Sequence, residues 1–191
     1  MTPQPASAAV VIGASAGALA ALSAVLPKLP AGFPRSVLLV VHIPPAAGNL
    51  LPELLQAKCK LAVQEASDKE PALPGHLYVA APDYHLQVEA DGYISLSNEE
   101  PVYFSRPSID VLFETAADAY GERLVGVILT GANEDGARGL RAVLDAGGTA
   151  LVQQPEGAYA TLMPRSAIEA CPEAQVMELG RIAQYLQELA A

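Results

Sequence analysis

Uninterrupted apolar runs that stop abruptly at glycine, proline or a polar residue recur along the chain. The first, Ala9–Gly13, is rich in β-branched residues and breaks into the turn Gly13-Ala14-Ser15-Ala16-Gly17. A run of this kind predicts a strand buried on both faces. The small residues after it predict a helix over Ala16–Val25, stopped by Pro27 and Pro30. Ser36–His42 is a second buried strand, ended by Pro44-Pro45, and a short helix follows near Asn49–Ala57. Leu61–Glu65 is a third candidate strand. From Pro71 to Ser97 the texture changes. His76–Ala80, His85–Glu89 and Tyr93–Ser97 alternate polar and apolar positions around Ala81-Pro82-Asp83 and Asp91-Gly92, which predicts a small antiparallel meander.

The alternating rhythm of strand and helix then resumes. Arg106-Pro107-Ser108 opens a helix to Tyr120, with Ser108 as its cap. Leu124–Leu129 is a buried strand, and Glu134–Asp145 a helix ended by Gly147-Gly148. Thr149–Gln153 and Ala174–Glu178 read as strands, Pro164–Ala170 and Arg181–Leu189 as helices. The sum is an α/β protein: a Rossmann-like, doubly wound, mostly parallel sheet with helices on both faces and a small antiparallel hairpin insertion. Residues 1–8 read as a flexible lead and 9–191 as a single domain.

Composition narrows the functions open to this fold. The 191 residues are 51% hydrophobic and 17% charged, enough for a substantial core. The formal net charge of -10 argues against nucleic acid and anionic membrane as partners, since binding their phosphates needs a basic face. Cys59 and Cys171 belong to no C-x-x-C pair and read as reduced, inert thiols. The N-terminal MTPQPASAA carries no positive charge ahead of an apolar run, and no run reaches the roughly 18–20 residues of a membrane span. A cytoplasmic protein without membrane insertion is expected.

Ligands of open α/β sheets bind beyond the carboxyl ends of the strands, and three strands here end in reactive residue types. Ser15 follows the first, His42 ends the second, and the strand LVGVILT runs into Gly131-Ala132-Asn133-Glu134-Asp135-Gly136. Gly13 to Gly17 spells the G-x-S-x-G of a nucleophile elbow. It also resembles a dinucleotide loop, but Ser15 and Ala18 stand where the second and third glycines belong. The plainest alternative makes Ser15 a helix cap. His42 could merely bond a backbone carbonyl, and Asn133 and Glu134 compete with Asp135 for its role. His76 and His85 lie in the meander, where they could be exposed. A serine, a histidine and a carboxylate converging on one crevice are the parts of a nucleophilic triad. Their order in the chain is not that of an α/β-hydrolase, in which the carboxylate precedes the histidine.

Several longer blocks resemble one family. IGASAG (Ile12–Gly17), HIPP (His42–Pro45), PGHLYVAAPDYHL (Pro74–Leu86), RPSIDVLF (Arg106–Phe113), LTGANEDGARGL (Leu129–Leu140) and Met163-Pro164 are similar, in order, to the catalytic domain of the chemotaxis receptor methylesterases, the CheB family. The resemblance implies hydrolysis of glutamate γ-methyl esters on the cytoplasmic domain of a methylated chemoreceptor, and, in some members, deamidation of receptor glutamines. It implies Ser15 as nucleophile, His42 as base and Asp135 as carboxylate, with no metal or organic cofactor. Backbone N–H groups at Ala16 or His42 and in the Ala132 loop are the expected oxyanion donors. Ala16, Ala18, Ala132 and Asn133 depart from the threonine, glycine, methionine and glycine of the family pattern. The receiver domain that usually precedes this domain is not in the sequence, so control would fall to a separate signalling regulator. A catalytically weakened module that binds receptors or signalling proteins, and a serine esterase or amidase acting on another substrate, are the alternatives.

Overall fold

The protein is described here by a computed structural model covering residues 4–42 and 48–191. In chain order the elements are β1 (Ala9–Ala14), α1 (Ala18–Val25), β2 (Ser36–Val41), α2 (Leu51–Gln56) and β3 (Ala62–Glu65). Then come β4 (His76–Val79), β5 (His85–Val88), β6 (Ile94–Ser97), α3 (Ile109–Tyr120), β7 (Leu124–Ile128) and α4 (Ala137–Asp145). The chain closes with β8 (Thr149–Gln153), α5 (Leu162–Ala170), β9 (Gln175–Met177) and α6 (Leu179–Glu188).

Seven strands form one parallel sheet in the order β3-β4-β2-β1-β7-β8-β9. Its central strands β1, β2 and β7 are buried along their whole length, which is why they read as apolar runs without alternation. From β1 the chain moves to β2 on one side and later enters β7 on the other. The strand order therefore reverses at β1, and the crevice above the carboxyl ends of β1 and β7 is the topological switch point where such sheets bind ligands.

Each face of the sheet packs its own core. Val10, Ile12, Leu39 and Val127 meet α1, α2 and α6 through Leu22, Leu55 and Ile182. Val11, Leu38, Val40 and Ile128 meet α3, α4 and α5 through Ile109, Phe113, Leu140 and Met163. Helix α3 buries Ile109, Leu112, Phe113, Ala116, Ala117 and Tyr120, one stripe at helical spacing. Ser108 caps it, as the sequence predicts, its hydroxyl accepting from the Val111 N–H. At the amino end, Ala6 is buried and its N–H donates to the Ala72 carbonyl at 2.7 Å.

Three expectations need correction. The meander contains only two antiparallel strands, β5 and β6. His76–Val79 belongs to the main sheet, parallel to both β2 and β3. Its residues Leu77, Tyr78 and Val79 are all buried, so the apparent alternation did not mark a half-exposed strand. His85 is buried too, at 1% exposure. Helix α4 begins at Ala137 and not at Glu134, because Gly136 takes a left-handed φ of 101° ahead of it. The expected stop at Pro44-Pro45 lies outside the described residues.

Helices α3 and α4 approach so closely at Gly139 that a Cβ there would lie 2.6 Å from Phe113 Cβ and 3.0 Å from Asp110 Cα. The second neighbour is backbone and cannot rotate away. Gly139→Ala should therefore destabilise the protein by about 1–3 kcal/mol, read as a lower urea midpoint with an unchanged slope, even though alanine is the better helix former.

Candidate active site

Ser15 and His42 are placed by backbone pairing. β1 and β2 are in register as far as Ala14 opposite Val41, and the next residue of each strand is Ser15 and His42. Neighbouring strands run about 4.8 Å apart, so the two residues stand side by side above the switch point. The Ser15 N–H donates to the Thr130 carbonyl at 2.9 Å, and the Thr130 hydroxyl donates to the Ala16 carbonyl at 2.8 Å. The loop after β7 thus grips the turn that carries the serine.

The helix-cap reading of Ser15 does not hold. The residue that caps α1 is Gly17, with φ 83° and no side-chain hydrogen bond. A Cβ at Gly17 would meet Tyr159 Cβ at 2.6 Å. Ser15 contributes its carbonyl, which accepts from the Ala18 N–H at 2.9 Å, and its hydroxyl makes no hydrogen bond among the described residues.

Asp135 is fully buried and surrounded by donors. Its Oδ2 accepts from His42 Nε2 at 2.8 Å and from the Ile109 N–H at 2.7 Å. Its Oδ1 accepts from the Ser108 hydroxyl at 3.0 Å and from the Asp110 N–H at 2.9 Å. Burial opposes the charge. Hydrogen bonds from His42 and from the Asp110 and Ile109 N–H groups outweigh it and hold the carboxyl below its ordinary range. Glu134 is exposed, and of the three neighbouring residues it is Asp135 whose carboxylate meets His42 Nε2. Because the carboxylate only accepts, His42 Nε2 carries the proton and Nδ1 is the ring nitrogen that keeps an acceptor lone pair.

Residues that the sequence did not mark as part of the site hold this arrangement in place. Asp110, on the first turn of α3, returns what its own N–H gives. Its Oδ1 accepts from the Gly136 and Gly139 N–H groups at 3.0 and 2.7 Å, capping α4. Asp135, just ahead of α4, caps α3, so each helix is capped by the other's carboxylate. Asp110 Oδ2 has no hydrogen-bond partner among the described residues. Burial, joined by the charge of Asp135, pushes the Asp110 carboxyl up to about 6 against the bonds from Gly139. One layer further out, His85 Nδ1 accepts from the Ser108 N–H at 3.1 Å while Nε2 faces the Glu100 carbonyl at 3.1 Å. Arg106 ties this loop to the turn before β5 through Asp83 Oδ1, at 2.7 and 3.1 Å. Their presence in the PDYHL and RPSID blocks was the available signal.

The oxyanion donors also need revision. The His42 N–H is committed to the Ala14 carbonyl at 3.3 Å and is not free. Among the described residues the N–H groups of Ala16, Ala132 and Asn133 make no backbone hydrogen bond. They border the crevice from the turn after β1 and the loop after β7. Among the described residues no three His, Cys, Asp or Glu side chains gather as a metal site, and no helix is long and apolar enough to cross a membrane.

The paired carboxylates oppose each other in pH dependence. Folding raises the Asp110 pKa from 3.8 to about 6, so the folded state binds more protons than the unfolded chain between these values. The Asp110 contribution to stability is accordingly lost as pH rises through that window. The lowered Asp135 contributes stability that is retained on the alkaline side and lost only in stronger acid. In urea denaturation at pH 4.5 and pH 8, Asp110→Asn should gain at pH 8, relative to wild type, on the order of 1–3 kcal/mol over its change at pH 4.5.

Comparison with known proteins places this geometry. The family model described as CheB methylesterase matches residues 10–186. A relative from Leptospira interrogans is 48% identical over 181 residues, covering 95% of this chain and 94% of its own length. The protein-glutamate methylesterase/protein-glutamine glutaminase of Symbiobacterium thermophilum is 38% identical over 93% of this chain, and its counterpart in Salmonella typhimurium 37% over 93%. This chain spans about half of each of those two, 49% and 51%. The crystal structure of the Thermotoga maritima CheB methylesterase catalytic domain matches with a TM-score of 0.91 at 34% identity, over 95% of this chain and 98% of the other. Matched by the family model over residues 10–186 and by a relative over 95% of its length, the chain belongs to the CheB methylesterase family.

Proposed function

We propose that this chain is a serine hydrolase that demethylates glutamate γ-methyl esters on the cytoplasmic domain of a chemoreceptor, working in the cytoplasm, and that the same site deamidates receptor glutamines. The observation that carries the mechanism is the 2.8 Å bond between His42 Nε2 and the buried Asp135 carboxylate. It fixes the imidazole tautomer and leaves Nδ1 as the base beside Ser15.

Ser15 Oγ attacks the ester carbonyl carbon as its proton passes to His42 Nδ1. Asp135, held ionised, stabilises the imidazolium through Nε2–H. The tetrahedral oxyanion lies between the N–H of Ala16 and those of Ala132 and Asn133, donors fixed before substrate arrives. Collapse expels the methoxy group, which leaves as methanol with the proton from His42. Water, deprotonated by the same nitrogen, then attacks the acyl-serine and frees the glutamate. With a glutamine substrate the leaving group is ammonia and the remaining steps are the same.

Methanol release from a methylated receptor cytoplasmic fragment tests this reading. Ser15→Ala should lower kcat by roughly 10³–10⁶ while the protein stays folded. Full turnover by Ser15→Ala would overturn the assignment of the nucleophile. A folded wild-type protein that releases no methanol from authentic substrate would overturn the choice of ester.

A further inference from the structure

Proton transfer from Ser15 requires a vacant lone pair on His42 Nδ1, and in this structure that position is taken. The side-chain amide nitrogen of Asn133 lies 3.3 Å from Nδ1. The orientation of the amide is fixed from its other end, where Oδ1 accepts the Asp135 N–H at 3.2 Å. An NH₂ group only donates, and Nε2 is already donating to Asp135. The contact is therefore Asn133 N–H to the Nδ1 lone pair, the same lone pair that must receive the serine proton. Among the described residues the Ser15 hydroxyl has no hydrogen bond to the imidazole.

We infer that Asn133 is a positioning residue that latches His42 in a resting arrangement, and that it must release Nδ1 before Ser15 can be activated. This rests on the reading of Ser15 and His42 as nucleophile and base. The latch orients the ring, since His42 is held from Nε2 by Asp135 and from Nδ1 by Asn133, and it also occupies the acceptor. Once His42 is protonated, Nδ1–H and the Asn133 NH₂ are two donors face to face, so the amide has to swing away during turnover. Its position on the loop after β7, next to the proposed oxyanion donors, allows an entering acyl group to displace it.

Two substitutions separate a latch from a purely structural role. Asn133→Ala removes the donor on Nδ1 and also the acceptor of the Asp135 N–H. Asn133→Asp keeps that acceptor but sets a carboxylate against Nδ1, which then stays protonated and cannot serve as base. A latch predicts faster labelling of Ser15 by a fluorophosphonate in Asn133→Ala, by about two- to tenfold, and labelling at least tenfold slower in Asn133→Asp. Slow labelling in Asn133→Asp follows from its charge under either reading, so Asn133→Ala decides: a purely structural role predicts slower labelling there, through loss of the Asp135 N–H acceptor, and that result overturns the inference. The nitrogen-15 resonance of His42 Nδ1 supplies a second readout that needs no activity. It should move in Asn133→Ala as its hydrogen bond is lost, and an unmoved resonance also overturns the latch. If Ser15 is unlabelled in every variant, the reading of the nucleophile fails, and the resonance alone decides whether Asn133 holds Nδ1.

Discussion

A carboxylate removed entirely from water has to be met by donors, and the folding of the region between β5 and α4 follows from how Asp135 is met. Burial of an unpaired charge would cost several kcal/mol. Here a hydroxyl, two backbone N–H groups and an imidazole share the charge. The two N–H groups are among those that the start of α3 could not have satisfied within its own helix. The need of the carboxylate for donors and the need of the helix for acceptors are solved by one contact. Asp110 repeats the arrangement in the other direction at α4, and the two helix ends are thereby fixed against each other beside the crevice.

The sheet supplies the rest of the geometry without side-chain chemistry. Parallel pairing sets Ser15 beside His42, because the two residues continue the register of β1 and β2. Glycines keep the elements close enough for the third residue to reach them. A Cβ at Gly131 would fall 2.5 Å from Met163 Cε, and one at Gly136 2.6 Å from Ile128 Cδ1. The turn after β1, the loop after β7 and the start of α5 are packed together at distances that larger residues would not permit. The electrostatic and steric constraints converge on the same short loop, residues 130–136.

The central strands, the serine, histidine and aspartate at their ends, and most helices could be read from the chain because each leaves a mark in residue order. Buried parallel strands are uninterrupted apolar runs, and reactive side chains at their ends fall where ligands bind. β4 reads as part of the meander because four residues, HLYV, show no period that separates an inner strand of a parallel sheet from a hairpin strand. The start of α4 was placed early because the backbone turn at Gly136 and the diversion of Asp135 to another helix are tertiary facts. The roles of Asp110, Ser108 and His85 depend on contacts across 23 to 29 positions of sequence. Asn133 stood out as a departure from the family pattern, yet its contact with the base appears only when the loop is folded.

On the proposed mechanism the reciprocal caps give Asp135 two duties of unequal age in the life of the molecule, since it must be seated before there is a crevice for Ser15 to act in. The duties come apart under selection. A descendant that lost the chemistry would be free to replace Ser15, whose hydroxyl makes no hydrogen bond among the described residues, but would still need a carboxylate at the head of α4. On that reading the aspartate is a record of architecture, and the serine a record of activity. Among distant members of this fold, the pairing of an intact aspartate with a missing serine would mark a protein that has kept its shape after leaving its trade.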